Sequence, residues 1–227
     1  MGIQERRQKE KEMRKNDIVD AGERVFFSKG YEKATMDEVA KEAEFSKKTV
    51  YSYLSSKEEL YFEIMIRGYK LLIRMFQDDL QKQKRRNAIE ELNQMFLTFY
   101  QFSNENSNYF RAIMEYETGN KSIESAISDQ TRDECYTLGE KILDYLTSIL
   151  EKGMTEGTIC SRIDARKTAL VLWAFTVGIF NTVKKKEQYL IDFHNTMPDS
   201  FMQAGFELMM RSIQLKSEGG MYENEDN

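Results

Sequence analysis

The sequence predicts an all-α protein, and three features of the chain lead to that class. Its 227 residues include a single proline, so nothing forces long helices to break. Apolar residues recur three and four positions apart along most of the chain, which is the spacing of one helix face. The longest apolar run, 169–180, is shorter than the roughly 18 residues that a membrane-spanning helix requires. We therefore expect a bundle of water-facing helices.

Two short helices are predicted between Thr35 and Leu54. Thr35 and Glu38 have the spacing of a capping box, and Ser46 is an N-cap candidate for the second helix. One face of the first helix is apolar: Met36, Val39, Ala40 and Ala43. The second helix has Val50 and Leu54 pointing inward, and its other positions carry donors or amphipathic rings: Lys47, Lys48, Thr49, Tyr51 and Tyr53. This pattern is typical of a helix-turn-helix whose second helix faces DNA.

A longer motif runs from Gly30 to Leu60. Its characteristic positions are Gly30, Thr35, Val39-Ala40, Ala43, Phe45-Ser46, Thr49-Val50-Tyr51, Tyr53 and Ser56-Lys57-Glu58-Glu59-Leu60. With these residues the stretch resembles the TetR family of bacterial transcriptional regulators. Two positions depart from the family pattern, since Glu44 replaces the usual turn glycine and Lys48 replaces a frequent second glycine. A non-glycine residue in a left-handed turn costs about 1–2 kcal/mol, so either Glu44 carries that strain or the turn is altered.

The resemblance implies phosphate contacts for Tyr51, Tyr53 and Lys57. Lys47 and Lys48, at the start of the second helix, are our candidates for reading base edges. The full set of predicted DNA-binding residues is Thr35, Ser46, Lys47, Lys48, Thr49, Tyr51, Tyr53 and Lys57. We expect the protein to bind double-stranded operator DNA.

Net charge argues against indiscriminate binding to nucleic acid. The chain carries a formal charge of −5, and its first 60 residues hold equal numbers of basic and acidic side chains. Attraction to phosphate must come from local placement, in the second helix and in the N-terminal residues Arg6, Arg7, Lys9, Lys11, Arg14 and Lys15. These N-terminal residues fit either a solvated helix start or an arm that enters a DNA groove. A shaped, specific site is the better interpretation.

The other helices are predicted from apolar faces and end signals. A first helix containing Ile18 to Phe26 ends at Gly30, and a capping box of Ser56 and Glu59 opens a long helix to about Lys84. Further helices are predicted over 89–100, 109–117, 123–156, 165–185 and 198–213, with a polar break at 104–108 and with Gly119, Gly157, Asp164 and Pro198 marking helix ends. The predicted domains are residues 1–56, the helix-turn-helix domain, and 57–215, an effector-binding and dimerisation domain. An acidic, disordered tail is predicted over 216–227.

The predicted helix from Ala165 is apolar nearly all round and must be covered on both sides. The resemblance implies that the last two helices pair with their copies in a second subunit as a four-helix bundle. Such an isologous dimer binds a two-fold-related DNA site. The predicted interface residues are Leu170, Ala174, Val177, Gly178, Asn181, Phe201, Gly205, Leu208 and Met209.

The resemblance also implies an effector pocket among the helices between Asn87 and Lys185. The candidate residues are Phe96, Phe99, Tyr100, Phe110, Met114, Glu115, Thr131, Glu134 and Trp173. Aromatic residues and methionine at helical spacing also fit an ordinary core. The polar members Glu115, Thr131 and Glu134 favour a ligand, because buried polar groups need partners. An apolar cavity edged by carboxylates favours a flat, lipophilic cation as the small hydrophobic effector, and a long-chain acyl compound is the close alternative.

Catalysis has little support. His194, the single histidine, lies in an apparent loop, and Glu115 and Glu117 lie on different helix faces. Cys135 and Cys160 form no metal or disulfide framework, there is no glycine-rich phosphate loop, and we expect no cofactor. A charged N-terminus predicts no secretory signal and hence a soluble, cytoplasmic protein. A helical adaptor without DNA binding would leave the basic and aromatic residues of 47–57 unexplained. We therefore predict a ligand-responsive transcriptional regulator, which in this family is most often a repressor.

Overall fold

The computed structural model describes residues 2–82, 86–118 and 128–215 and confirms the all-α class. Within these residues the helices are α1 (Ile3–Lys29), α2 (Met36–Glu42), α3 (Lys47–Tyr53), α4 (Lys57–Lys82), α5 (Ala88–Glu105), α6 (Ser107–Thr118), α7 (Asp129–Glu156), α8 (Ala165–His194) and α9 (Pro198–Ile213). One isolated antiparallel bridge joins Ile159 and Gln214. Across the described ranges, no helix is long and apolar enough to cross a membrane.

The chain divides into two compact units. The first unit contains Met1–Asp78 and Thr98–Ile142, and the second contains Asp79–Leu97 and Leu143–Asn227. This division does not follow the predicted domain boundary after residue 56, because most of α4 groups with the helix-turn-helix. The functional division into a helix-turn-helix domain and an effector-binding and dimerisation domain therefore stays a prediction.

The first unit has its core where α1, α2, α3 and α4 meet. Its fully buried side chains include Ile18, Val39, Val50, Leu54, Leu60 and Ile64. Gly22 of α1 permits the close approach of α4, because a Cβ atom there would lie 2.8 Å from both δ-carbons of Leu60. The apolar periodicity of the sequence therefore does mark the face on which these helices pack.

Local signals correctly predict most helix ends. The N–H of Glu38 donates to Thr35 Oγ1 at 3.3 Å, and the Thr35 N–H donates back to the Glu38 carboxylate at 3.1 Å. Ser46 accepts from the N–H of Thr49 at 3.1 Å, and Asp164 accepts from that of Lys167 at 2.8 Å. Gly30 and Gly157 follow α1 and α7 with positive φ values of 80° and 72°.

The predicted capping box at the start of α4 forms in a shifted way. The Glu59 N–H donates to Ser56 Oγ at 3.0 Å, as expected. The Glu59 carboxylate, however, accepts from the N–H and the hydroxyl of Ser55, at 2.7 and 2.6 Å. Both serines therefore hold the first turn of α4.

Two helices, α8 and α5, extend further than their sequence pattern predicts. α8 continues past Lys185 to His194, through non-helical dihedral angles at Lys186, because Leu190 beyond that kink is buried. His194 therefore lies in the last turn of a helix, not in a loop, and its ring centroid is 4.9 Å from that of Tyr189. α5 runs into the predicted polar break, and α1 begins at Ile3, well before its apolar face. Predictions for Lys84, Gly119, Ile123, Ile127 and the tail from Lys216 lie outside the described residues.

The second unit has its own core, built from α5, α7, α8 and α9. Its buried side chains include Leu92, Leu146, Leu150, Ile159, Leu172, Met210 and Ile213. The start of α5 is fastened to α7, because Lys152 donates to Glu91 and to the Arg86 carbonyl at 2.6 Å, and Glu156 accepts from the Ala88 N–H at 2.8 Å. Phe96 of α5 stacks on Phe206 of α9 with ring centroids 4.1 Å apart.

Candidate DNA-binding surface and effector residues

The turn between α2 and α3 keeps a glycine-like conformation although it contains Glu44. Glu44 has φ 58°, so it carries the left-handed strain and the turn is not altered. Backbone bonds hold it there, since the Glu44 N–H donates to the Lys41 carbonyl at 3.2 Å and the Phe45 N–H donates to the Ala40 carbonyl at 3.0 Å. The angle between the two helices therefore does not depend on glycine.

α3 has a narrow inward face and a broad outward one. Val50 and Leu54 are fully buried, as predicted. Lys47, Lys48 and Tyr51 are exposed, whereas Thr49 and Tyr53 are half-buried. The Ser46 hydroxyl lies 2.8 Å from that of Thr49, so the N-terminal turn is braced twice. This arrangement places the predicted base-reading lysines on the first turn of the helix, directly after its capping residue.

The three predicted DNA-binding lysines have different surroundings. Lys47 Nζ lies 2.6 Å from Asp37 Oδ1 of α2. Lys57 Nζ lies 4.4 Å from the ring centroid of Tyr31 and donates to the Glu32 carbonyl at 3.3 Å. The Lys48 ammonium group has no carboxylate within ion-pair distance among the described residues. Lys48 therefore offers its charge to solvent, or to a bound polyanion, without first losing a partner.

The N-terminal basic residues do not form one patch. Arg6 pairs with Glu10 at 3.7 Å on the exposed side of α1. Lys15 pairs with Glu63 of α4 at 2.6 Å and is half-buried. Residues 3–14 form exposed helix, which is the solvated helix start allowed by the sequence, and the role of an arm in DNA binding stays a prediction.

A polar cluster that sequence reasoning missed joins α1 to α4 and α6. Arg67 of α4 pairs with Asp20 and, at 3.0 Å, with Glu23 of α1. The Tyr109 hydroxyl of α6 donates to Glu23 at 2.8 Å. Burial and the hydrogen bond to Glu23 raise the pKa of Tyr109. These residues are far apart in sequence, so no local spacing could have revealed the cluster.

The candidate effector residues fall into both units. Phe96 and Trp173 belong to the second unit, and the other seven belong to the first. In the first unit Phe99 and Phe110 are buried with ring centroids 5.6 Å apart, and Met114 is buried as well. Tyr100 is half-buried. The apolar members of the first unit thus belong to its core, whether or not a ligand also uses them.

The polar candidates already have partners within the chain. Glu115 is exposed and accepts from the Tyr61 hydroxyl at 2.9 Å, and Glu134 pairs with Lys70 at 2.6 Å. Thr131 is buried, accepts from Ser128 at 2.9 Å and donates toward Glu59 and Glu63 at 3.5 and 3.4 Å. Among the described residues, no buried side-chain nitrogen or oxygen lacks a hydrogen bond. These groups therefore have partners without a ligand, so their polarity does not by itself indicate a pocket, and their role in effector binding stays a prediction.

The predicted dimer residues separate into an outward and an inward set. On α8, Leu170, Ala174 and Gly178 are exposed, and Leu208 of α9 is 61% exposed. Val177, Asn181 and Phe201 are half-buried. Met209 and Gly205 serve packing within the chain, because Met209 is buried and a Cβ atom at Gly205 would lie 2.4 Å from Ile179 Cδ1. Val171 and Phe175 add to the exposed apolar surface, with exposures of 65% and 38%.

The segment that builds the helix-turn-helix also decides the family. The family described as "Bacterial regulatory proteins, tetR family" matches residues 18–64, from the buried part of α1 to the start of α4. The Bacillus subtilis HTH-type transcriptional regulator YhgD, itself uncharacterised, is 29% identical over 174 residues, which cover 73% of this chain and 82% of that protein. Residues 18–64 are therefore a DNA-binding segment of the TetR family. The protein is a helix-turn-helix transcriptional regulator, and the TetR family is not enzymatic.

Similarity to other transcriptional regulators extends beyond the matched segment. The transcriptional activator FasR of Mycolicibacterium smegmatis is 32% identical over 109 residues, 45% of this chain and 46% of that protein. FadR of Bacillus subtilis, solved with stearoyl-CoA, superimposes with a TM-score of 0.65 over 87% of this chain and 98% of that one, at 18% identity. A Saccharomonospora viridis protein solved with choline gives 0.68 over 89% and 98%, also at 18% identity. At these identities the structures establish the fold of this chain beyond residue 64.

Proposed function

We propose that this regulator is a ligand-responsive repressor. A homodimer binds palindromic operator DNA through α3, and a small hydrophobic effector releases it. The observation that carries the proposal is the outward face of α3, which presents Lys48 without an acidic partner in the described chain beside the exposed ring of Tyr51. Only Val50 of α3 and Leu54, which follows it, are buried, so packing within the chain does not explain the lysine and the tyrosine on its outward face.

The proposed DNA contacts divide the surface by role. Lys48 reads a base edge in the major groove, where guanine presents two acceptors to a cationic side chain. Tyr51, Tyr53 and Lys57 bind phosphates and fix the register of α3 on the duplex. Because the chain carries a net charge of −5, general attraction to DNA is weak and the positioned contacts dominate.

The proposed dimer buries the apolar surface that α8 and α9 leave exposed. Leu170, Val171, Phe175 and Leu208 are all more than one third exposed. Contiguous apolar surface of this kind is typical of protein–protein contacts. A two-fold axis through this surface relates two α3 helices, which then read half-sites about 34–36 Å apart.

We propose an acyl compound as the effector in preference to a lipophilic cation. A cation is favoured by unpartnered carboxylates, but Glu115 and Glu134 are paired with Tyr61 and Lys70. Two structural neighbours also bind acyl thioesters, since AibR was solved with isovaleryl coenzyme A and operator DNA, and FadR with stearoyl-CoA. The choline complex of the Saccharomonospora viridis protein keeps a cation as the competing class.

Release from DNA requires that the effector prefer a dimer whose α3 helices do not match the operator. A ligand with equal affinity for both arrangements shifts nothing. FasR, the M. smegmatis relative, is an activator, so the direction of control needs a direct measurement. In vitro transcription from a promoter that contains the operator distinguishes repression, in which the protein lowers transcript yield, from activation.

The effector proposal is tested by following DNA release and ligand binding in one titration. Trp173, the single tryptophan, reports binding by fluorescence, and anisotropy of a labelled duplex selected by the protein from a random library reports release. We expect isovaleryl-CoA or stearoyl-CoA to release the duplex and choline to leave it bound. Release by choline alone contradicts the acyl assignment. A ligand that quenches Trp173 at saturation while the duplex stays bound contradicts the coupling.

A further inference from the structure

The acidic side chains of α2 pair in two directions. Glu38 pairs with Lys29 and Glu42 with Arg24, and both of those cations belong to α1. Asp37 instead reaches α3, where its carboxylate lies 2.6 Å from Lys47 Nζ. One of the two lysines in the first turn of α3 is therefore neutralised by a neighbouring helix, while Lys48 next to it is not.

The Asp37–Lys47 pair contributes little to folding. Both side chains are more than half exposed, at 68% and 59%, and ion pairs in water are weak because solvent screens them. The hydrogen bond that Lys47 donates to the Asp37 carboxylate raises the pKa of Lys47, which agrees with a formed pair. A contact that adds little stability at a DNA-facing position has its main consequence when DNA approaches.

We infer that Asp37 is a specificity-determining residue, which occupies Lys47 in the free protein and so weakens binding to arbitrary DNA sequences. This inference rests on the proposed DNA-binding role of α3. A phosphate or base must displace the carboxylate before it can use Lys47. An operator places a hydrogen-bond acceptor where Lys47 can reach it, and this contact offsets the free energy lost when the Asp37–Lys47 pair breaks. Arbitrary DNA offsets that loss poorly.

The inference also explains how the DNA-binding head, residues 1–60, discriminates between DNA sequences although it carries equal numbers of acidic and basic side chains. Non-specific affinity depends on the number of phosphates that cations neutralise, and the salt dependence of binding counts them. While Lys47 is paired with Asp37, the number of phosphates that the protein neutralises is lower for every DNA sequence.

The test compares Asp37→Asn with Glu42→Gln. Both substitutions remove one negative charge from α2 and break one exposed ion pair, but only the first frees a residue of α3. Each full-length variant is titrated against the selected duplex and against a scrambled duplex over a range of salt concentrations. Circular dichroism melting verifies that the variants are folded.

For Asp37→Asn we expect affinity for the scrambled duplex to rise about fivefold at about 0.15 M salt, with a salt slope steeper by about one unit. The selected duplex should gain less, so the ratio of the two affinities falls. Glu42→Gln should keep the wild-type slope. In Asp37→Asn/Lys47→Ala the gain should disappear, because no lysine remains to be freed.

Three outcomes overturn the inference. Equal changes in Asp37→Asn and Glu42→Gln assign the effect to overall charge. A gain that persists in the double variant shows that Asp37 acts by repelling DNA and not through Lys47. If the wild-type protein selects no duplex from the library, the proposed DNA-binding function fails and this inference fails with it.

Discussion

The hydroxyl of Tyr109 donates a 2.8 Å hydrogen bond to the carboxylate of Glu23, a residue 86 positions earlier in the chain. The bond joins α6 to α1, the helix that supports the helix-turn-helix. Phe27 of α1 packs its ring edge-on against the same tyrosine, with centroids 5.3 Å apart. Tyr109 of α6 therefore contacts α1 through both a polar and an aromatic interaction, and both lie within the first unit.

Replacing Tyr109 with phenylalanine should lower the free energy of unfolding by about 1 kcal/mol, because it removes a partly buried hydrogen bond and keeps the ring. Urea unfolding measures the change. Tyr189→Phe is the matched control, since Tyr189 is 48% exposed and its hydroxyl makes no hydrogen bond to the described residues. If both variants unfold like the wild type, the bond to Glu23 does not stabilise the head.

Two glycines of α7 should respond oppositely to alanine. A Cβ atom at Gly153 would lie 2.4 Å from Ile159 Cδ1 and 2.9 Å from Ala88 Cβ, so Gly153→Ala should destabilise the protein by about 1–3 kcal/mol. At Gly139 nothing lies within 4 Å of a Cβ atom, and Gly139→Ala should stabilise by about 0.5–1 kcal/mol. Thermal melting compares them. A stabilising Gly153→Ala would refute the packing of α5 and of the residue 159 segment on α7.

Relief of strain at the turn before α3 should be measurable. Glu44→Gly should raise the free energy of unfolding by about 1 kcal/mol, because glycine adopts φ 58° without steric cost. Glu44→Ala removes the same charge but keeps the Cβ atom, so its stability should stay near that of the wild type. Equal stabilisation by both substitutions would assign the effect to charge.

Charge placed on the exposed faces of α8 and α9 should split the proposed dimer. Val171 and Leu208 are 65% and 61% exposed in the chain by itself, so the double variant Val171→Glu/Leu208→Glu should fold and sediment with half the wild-type mass. Leu97→Glu is the control, since Leu97 is also exposed, at 55%, but lies on α5. A double variant that sediments as a dimer would remove the interface from this surface.

Hydrogen bonds between residues near in sequence explain why the starts of α2, α3 and α8 could be predicted. Thr35, Ser46 and Asp164 each cap a helix by bonding an N–H group three residues ahead, so the signal lies within one turn. The strain at Glu44 was likewise one of two outcomes that the motif allowed. Where partners are near in sequence, the pattern and the structure agree.

Distant contacts explain what could not be predicted. Tyr61, the partner of Glu115, is 54 positions away, and Glu59, toward which Thr131 donates, is 72 positions away. A sequence pattern therefore could not tell a polar group that is satisfied within the chain from one that needs a ligand. The sequence pattern predicts that α8 ends at about Lys185, whereas burial of Leu190 carries the helix on to His194.

The central claim, that α3 reads DNA, is tested most directly by comparing Lys48→Ala with Lys41→Ala on the duplex selected by the wild-type protein and on a scrambled duplex. Both variants lose one exposed lysine, but Lys41 lies on α2. We predict that Lys48→Ala weakens binding to the selected duplex by about 1–3 kcal/mol and relaxes preference at one base position, whereas Lys41→Ala keeps that preference. If Lys48→Ala binds both duplexes with wild-type affinity, α3 does not read DNA through Lys48.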